Sequence, residues 1–122
     1  MSYYMSWTGN DVLITFEGEV DFHEITEVDD HLYGDTRYDK QVYQIWDFRN
    51  VQAFNMNPIE ARVIGVLDRN SSVWNNNIML AVVATDKHII DITLEYKKEL
   101  KDTNWQVRIF DSMEEAKEWC LE

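Results

Sequence analysis

Alternation of apolar and polar residues near the start of the chain predicts a β-hairpin. Residues 3–7 and 12–17 are both rich in residues that favour strands. In the second stretch Val12, Ile14 and Phe16 occupy alternate positions, so one face is apolar and the other is mixed. The four residues between the stretches supply turn chemistry, including a glycine that tolerates positive φ. We therefore expect two antiparallel strands joined by a tight turn.

A helical period follows the hairpin. Asp21 and Glu24 have the spacing of a capping box, in which each side chain satisfies a free backbone N–H. The pattern predicts a first helix over residues 22–33, and Gly34 is well placed to end it. Its apolar stripe consists of Phe22, Ile25, Val28 or Asp29, and Leu32.

The middle of the chain repeats the order of strand and helix. Residues 42–48 have apolar side chains on both parities, as expected for a central strand that is covered on both faces. Residues 50–56 are predicted to form a loop. Asn57, Pro58 and Glu60 then provide a cap, a first-turn proline and a capping-box acid for a second helix. That helix carries Ile59, Val63, Val66 and Leu67.

The last third contains two further strands, each followed by a helix. Residues 78–84 form a continuous apolar run, which is typical of an inner strand. A third helix is predicted over residues 86–101, with lysines near its negative end. Residues 105–110 alternate again, and Ser112 with Glu115 predicts a capped terminal helix.

Together these elements predict an α/β fold. Right-handed crossovers give a mixed, mainly parallel sheet of about five strands with about four helices and an N-terminal hairpin. We expect residues 1–122 to form a single domain, since this length suits one core. Ligands of such sheets meet the loops at the carboxyl ends of the strands, here residues 49–57, 85–88 and 111–112.

Charge excludes several classes of ligand. Eleven Lys and Arg against 23 Asp and Glu give a net charge of −12, which repels phosphate backbones, so we expect no nucleic-acid partner. No apolar run approaches the roughly 18 residues of a membrane span, so no integral membrane segment is expected. The N-terminal third has no Lys or Arg before Arg37, which indicates a solvated acidic face or a docking surface for a basic partner. A lone cysteine and the lack of a signal-peptide pattern favour a cytoplasmic protein.

Candidate chemistry is sparse. The chain lacks the common nucleotide, acyl-transfer and zinc motifs, and we expect no catalytic residue, no cofactor and no metal. His23 and His31 share a helix with acidic neighbours, as in a weak metal site, but solvated side chains explain them as well. His88 with Asp91 has the spacing of an acid/base pair or of an accidental neighbour at a helix start.

Two other side chains have specific expectations. Cys120 lies beside Trp119 on the apolar stripe of the last helix, which predicts a buried, inert thiol. Trp74 falls in a polar turn with Asn75 and is expected to be partly exposed, where it can contact a partner.

The element order and the segments IWDFRNV, IMLAVVATD and WQVRIFDSMEEAKEWCLE resemble the STAS, or SpoIIAA-like, fold of anti-sigma-factor antagonists and of sulphate-transporter cytoplasmic domains. The chain is most similar to small stand-alone bacterial members of uncharacterised function. Those sequences tend to end in a phenylalanine, a short acidic helix and a tryptophan, matched here by Phe110, Glu114, Glu115, Ala116 and Trp119.

This resemblance implies a function and a place for it. In the antagonists the loop before the second helix carries a serine that a kinase phosphorylates, whereas residues 52–58 contain no Ser or Thr. We therefore expect a non-enzymatic binding or regulatory module, a homodimer, without the phosphorylation switch. Its expected contacts with a protein partner are the second helix and four residues before it: Phe54, Asn55, Met56 and Asn57. We expect Phe54 and Met56 to be exposed.

The alternative is a carrier of a small apolar, lipid-like molecule, related to Sec14-type folds. It requires a pocket of more than a few hundred Å³ between the sheet and the second and third helices. An enzyme that uses His88, Asp91 or Asp47 would need these groups in one cleft.

Overall fold

A computed structural model describes residues 2–122. Five strands and four α-helices are found in this part of the chain. The strands are β1 (Tyr3–Thr8), β2 (Asp11–Asp21), β3 (Tyr43–Asn55), β4 (Met79–Val83) and β5 (Gln106–Phe110). The helices are α1 (Phe22–Tyr33), α2 (Pro58–Ser71), α3 (Lys87–Lys98) and α4 (Met113–Cys120), and a short 3₁₀ helix covers Thr36–Lys40.

The strands form one mixed sheet in the order β1-β2-β3-β4-β5. β1 pairs with β2 antiparallel, and the other neighbours are parallel. Gly9 has φ +62° in the hairpin turn, where a residue with a Cβ would be strained. The predicted mainly parallel sheet with an N-terminal hairpin is confirmed, and β4 is an inner strand as its apolar run indicated.

The helices cover the sheet in two layers of unequal size. Apolar residues of α1, α2 and α3 pack on one face together with Phe16, Trp46 and Leu80. On the other face, α4 packs Ala116 and Trp119 against inward-facing residues of β3, β4 and β5. Ile89, Ile92 and Tyr96 of α3 are buried, and Cys120 of α4 is buried as predicted.

The predicted loop over residues 50–56 is mostly strand. β3 continues to Asn55 because the second half of β2 pairs with it: Glu17 lies opposite Asn50, and Asp21 lies opposite Asn55. A bulge with Gly18 at φ +68° keeps the two long strands aligned. The polar side chains in this stretch give no strand pattern in the sequence. The strand forms nevertheless, because backbone pairing needs no apolar side chains. Only Met56 and Asn57 connect β3 to α2.

Candidate functional site

The four residues expected to contact a partner have different surroundings. Asn55 and Asn57 are exposed. Met56 is only 7% exposed, and Phe54 is partly buried with its ring 5.5 Å from that of Phe48. The expected exposure of Phe54 and Met56 is wrong, because the extended β3 carries both side chains over the core beneath α2 and α3.

The N-terminus of α2 is closed by its own residues. Asn57 Oδ1 accepts a hydrogen bond from the Glu60 amide at 2.8 Å, and Glu60 Oε1 accepts one from the Asn57 amide at 3.1 Å. Pro58 follows the cap and has no N–H to offer. The capping box is confirmed, and it occupies the side-chain oxygen of Asn57, one of the four residues expected to contact a partner.

The outer face of α2 is apolar and faces solvent. Ile59 is 70% exposed, Val63 43% and Leu67 42%. The three residues are four apart in sequence and therefore form one stripe along the helix, which we call the α2 stripe. Among residues 2–122 no element covers this stripe, and it begins two residues after Asn57, the last of the expected partner-binding residues.

The buried face of α2 consists of small and polar residues with one isoleucine: Ala61, Ile64, Gly65, Asp68 and Ser71. Gly65 permits a close approach of α3, since a Cβ at this position would lie 2.6 Å from Cβ of Glu99 and 2.9 Å from the Tyr96 carbonyl oxygen. Arg62 pairs with Glu95 at 3.2 Å, and this ion pair also joins the two helices. These contacts turn the larger apolar residues of α2 outward.

A buried polar cluster holds α2 to both neighbouring helices. Asp68 of α2 is 3% exposed and accepts hydrogen bonds from the hydroxyls of Tyr33 on α1 and Tyr96 on α3. Tyr38 shares a hydrogen bond with Ser71 Oγ at 2.9 Å, and that hydroxyl also donates to the Asp68 carbonyl at 2.8 Å. The cluster fixes the orientation of α2, and therefore the direction in which the α2 stripe points.

A second carboxyl lies beside Asp68. Asp29 of α1 is 3% exposed, and its Oδ2 has no hydrogen-bond partner among residues 2–122. Burial, and then the charge of Asp68, raises the pKa of Asp29 well above its ordinary value. Burial also raises the pKa of Asp68, although the hydrogen bonds from Tyr33 and Tyr96 oppose this. Two carboxyls in one dry site cannot both carry charge cheaply, so the protonated form of Asp29 is favoured over the charged form.

His88, Asp91 and Asp47, the candidates for an acid/base role, each interact with a different group. His88 Nε2 lies 3.0 Å from the Met56 carbonyl oxygen, while Asp91 pairs with Lys87 at 2.7 Å. Asp47 is buried and pairs with Arg49 at 3.0 Å. The acid/base pairing of His88 with Asp91 is thus replaced by two separate interactions.

No metal cluster occurs within residues 2–122, and the cavity at the place expected for a carried molecule is small. His23 lies 3.8 Å from Glu27, and no group of three His, Cys, Asp or Glu side chains in this part of the chain is arranged to hold an ion. The cavity between the sheet, α2 and α3 has a volume of about 60 Å³ and is lined by Phe54 and Met56 among others. The carrier hypothesis requires several times this volume.

Two single residues match their expectations. Burial raises the pKa of the Cys120 thiol to about 11, as suits an unreactive side chain. Trp74 is 73% exposed and follows α2 in the chain.

Comparisons with known proteins support the fold. No family model matches the chain, and no curated protein matches it. The chain is similar to the anti-sigma factor antagonist SpoIIAA in its unphosphorylated form, with a TM-score of 0.62 at 14% identity over 98% of this chain and 96% of that one. For the phosphorylated form of the Bacillus cell fate determinant SpoIIAA, the TM-score is 0.61 at 14% identity, over 96% and 97%.

A third structure extends the likeness. It is an uncharacterised protein of the DUF3478 family from Shewanella loihica PV-4 with a SpoIIAA-like fold. The TM-score is 0.51 at 10% identity, over 97% of this chain and 91% of that one. The chain therefore has the mixed α/β SpoIIAA-like, or STAS, fold, and the fold prediction is confirmed. None of the helices in residues 2–122 has the length and apolar character needed to cross a membrane.

Proposed function

We propose that this protein is a non-enzymatic binding module that engages a protein partner through the α2 stripe and the adjoining exposed residues Asn55 and Asn57. The observation that carries the proposal is the exposure of Ile59, Val63 and Leu67 on one helix face. Contiguous exposed apolar surface marks interaction sites more often than isolated residues do. The fold adds support, because a protein with this fold is an anti-sigma factor antagonist.

The free energy gained on burial in a complex is larger for the α2 stripe than for the residues before it. Full burial of a Val, Leu or Ile side chain stabilises a complex by about 1.5–3 kcal/mol. Ile59, Val63 and Leu67 still have much of this surface to bury, whereas Met56 has already buried its own in the core. A partner therefore gains more from α2 than from the end of β3.

Regulation by phosphorylation before α2 is not part of the proposal. Residues 52–58 contain no Ser or Thr, and the helix cap is Asn57. Neither asparagine nor proline accepts a phosphoryl group, so the proposed interface carries no phosphorylation switch before α2.

Charge placed in the α2 stripe is expected to abolish partner binding. The double variant Ile59→Asp, Val63→Asp should reduce recovery of specific partners from an extract of the native cells at least tenfold, which corresponds to about 1.4 kcal/mol. An unpaired carboxylate in an apolar contact costs more than this. Quantitative mass spectrometry of captured proteins measures the effect, and circular dichroism checks that the variant is folded.

A matched control places the same charge elsewhere. Leu121 is 72% exposed and follows α4, on the opposite side of the sheet. Leu121→Asp should recover partners as the wild type does. Equal recovery by wild type and the double variant, or the absence of any specifically recovered protein, contradicts the proposal.

Light scattering of the wild type tests the expected homodimer in the same preparation.

A further inference from the structure

The outer edge of β5 is open. Within residues 2–122, β5 pairs only with β4, so one side of its backbone has no strand partner. Such an edge can accept an additional strand, in which backbone hydrogen bonds supply affinity and alternate side chains supply specificity. The side chains of an added strand would therefore contact the surface beside this edge.

An apolar groove lies beside β5 and runs along α3. Its volume is about 510 Å³, and its apolar lining consists of Leu94, Leu100, Trp105 and Val107. The indole N–H of Trp105 donates to the Asn75 carbonyl at 2.7 Å, and this hydrogen bond fixes the position of the Trp105 ring in the groove. Leu94 on the rim is 44% exposed. The groove has the shape and character needed for the apolar side chains of an extended peptide.

The groove is rimmed by positive charge in an otherwise acidic chain. Lys97, Lys98 and Lys101 line it. These are three of the eleven cationic side chains in a chain of net charge −12. Lys98 pairs with Glu95, but Lys97 and Lys101 have no ion-pair partner within the described residues.

We propose that this groove binds an acidic segment of a protein partner, which pairs with β5 in extended conformation as a sixth strand. On the face of the added strand that meets the groove, apolar side chains pack on Val107 and Trp105, and carboxylates lie near Lys97 and Lys101. The site shares no residue with the α2 stripe.

A second copy of this chain fits the edge less well. In an antiparallel pair of two β5 strands (Gln106–Phe110), the central Arg108 would lie opposite Arg108 of the other copy. Like charges directly opposite each other are destabilising. Two copies of net charge −12 also repel at long range. A short acidic segment avoids the opposed arginines, and its long-range repulsion from the chain is smaller because it carries fewer charges.

The test uses a displayed library of random nine-residue peptides selected on the full chain. Enriched peptides are expected to place both apolar and acidic residues on the same face of the strand, and fluorescence anisotropy then measures their affinity. Lys97→Glu, Lys101→Glu should weaken binding at least tenfold, since it reverses two charges on the rim. N-methylation of alternate peptide amides should weaken binding by a similar factor, because it removes donors to the β5 edge.

Controls separate this site from the α2 stripe. The double variant Ile59→Asp, Val63→Asp should bind the selected peptides within twofold of the wild type. Enrichment of peptides without acidic residues, no enrichment, or equal affinity for the lysine variant would overturn the proposal. Laurate that displaces every selected peptide, while N-methylation has no effect, would also overturn it and indicate a site for anionic amphiphiles.

Discussion

Replacing Asp68 by alanine is expected to destabilise the fold more than any other single change considered for α2. The change leaves the buried hydroxyls of Tyr33 and Tyr96 without their acceptor. An unsatisfied buried polar group costs about 1–3 kcal/mol, and here there are two. Urea denaturation of the wild type and the variant measures the difference in free energy of unfolding.

Asp29→Asn changes the neighbouring carboxyl and should have the opposite effect on stability. Asp68→Ala destabilises the fold, whereas Asp29→Asn should stabilise it relative to the wild type as the pH rises. The pKa of Asp29 is raised in the folded state, so its stabilising contribution is complete below its ordinary value near 4 and is lost as the pH rises through the raised value. Asparagine does not titrate. The stability of Asp29→Asn relative to the wild type should therefore increase with pH from about pH 4 upward.

The comparison of two proteins isolates this group from others that titrate in the opposite sense. Hydrogen bonds from Arg37 lower the pKa of Asp35 to about 2, and this carboxylate contributes equally to the wild type and the variant. Urea denaturation at pH 4 to 8 gives the difference. A variant whose relative stability does not change over this range contradicts a raised pKa of Asp29.

Gly65→Ala is expected to destabilise the protein by about 1–3 kcal/mol, the usual cost of overpacking. The added Cβ would meet Glu99 and the Tyr96 carbonyl oxygen, so α2 or α3 must move. Because α2 carries the proposed interface, the same change should also weaken partner binding. Thermal or urea denaturation measures the first effect, and the capture experiment measures the second.

Gly34→Ala provides the matched control. Gly34 caps α1 with φ −81°, and an added Cβ would meet only the Asp30 carbonyl oxygen at 3.3 Å. Alanine is compatible with this backbone conformation, so stability should remain within about 0.5 kcal/mol of the wild type. Equal effects of the two glycine substitutions would contradict the close approach of α2 and α3.

Sequence patterns predicted the elements that depend on local signals. The capping residues Asp21, Asn57 and Ser112 are the caps in the structure, and the apolar run before Ala84 is the inner strand β4. These features are determined by residues close together in the chain. The length of β3 was missed, because it depends on pairing with β2, more than thirty residues away.

The site was predicted less well than the fold, for a physical reason. Met56 looked exposed because it precedes a helix cap, yet the direction of β3 decides its burial. The inner face of α2 is recognisable only when Ala61, Gly65 and Asp68 are seen to share one side at helical spacing. A buried aspartate gives no apolar signal, so neither Asp68 nor its relation to Asp29 could be derived without the packing of α1 on α2.

Site-specific photo-crosslinking in the native cells tests the central claim most directly. Replacement of Val63 by p-benzoylphenylalanine places the reactive group in the α2 stripe, and replacement of the exposed Glu118 on α4 places it on the other side of the sheet. We predict that light produces a discrete adduct with a protein partner from position 63 and none from position 118. An adduct from position 118 alone, or none from either position, would contradict partner binding through α2.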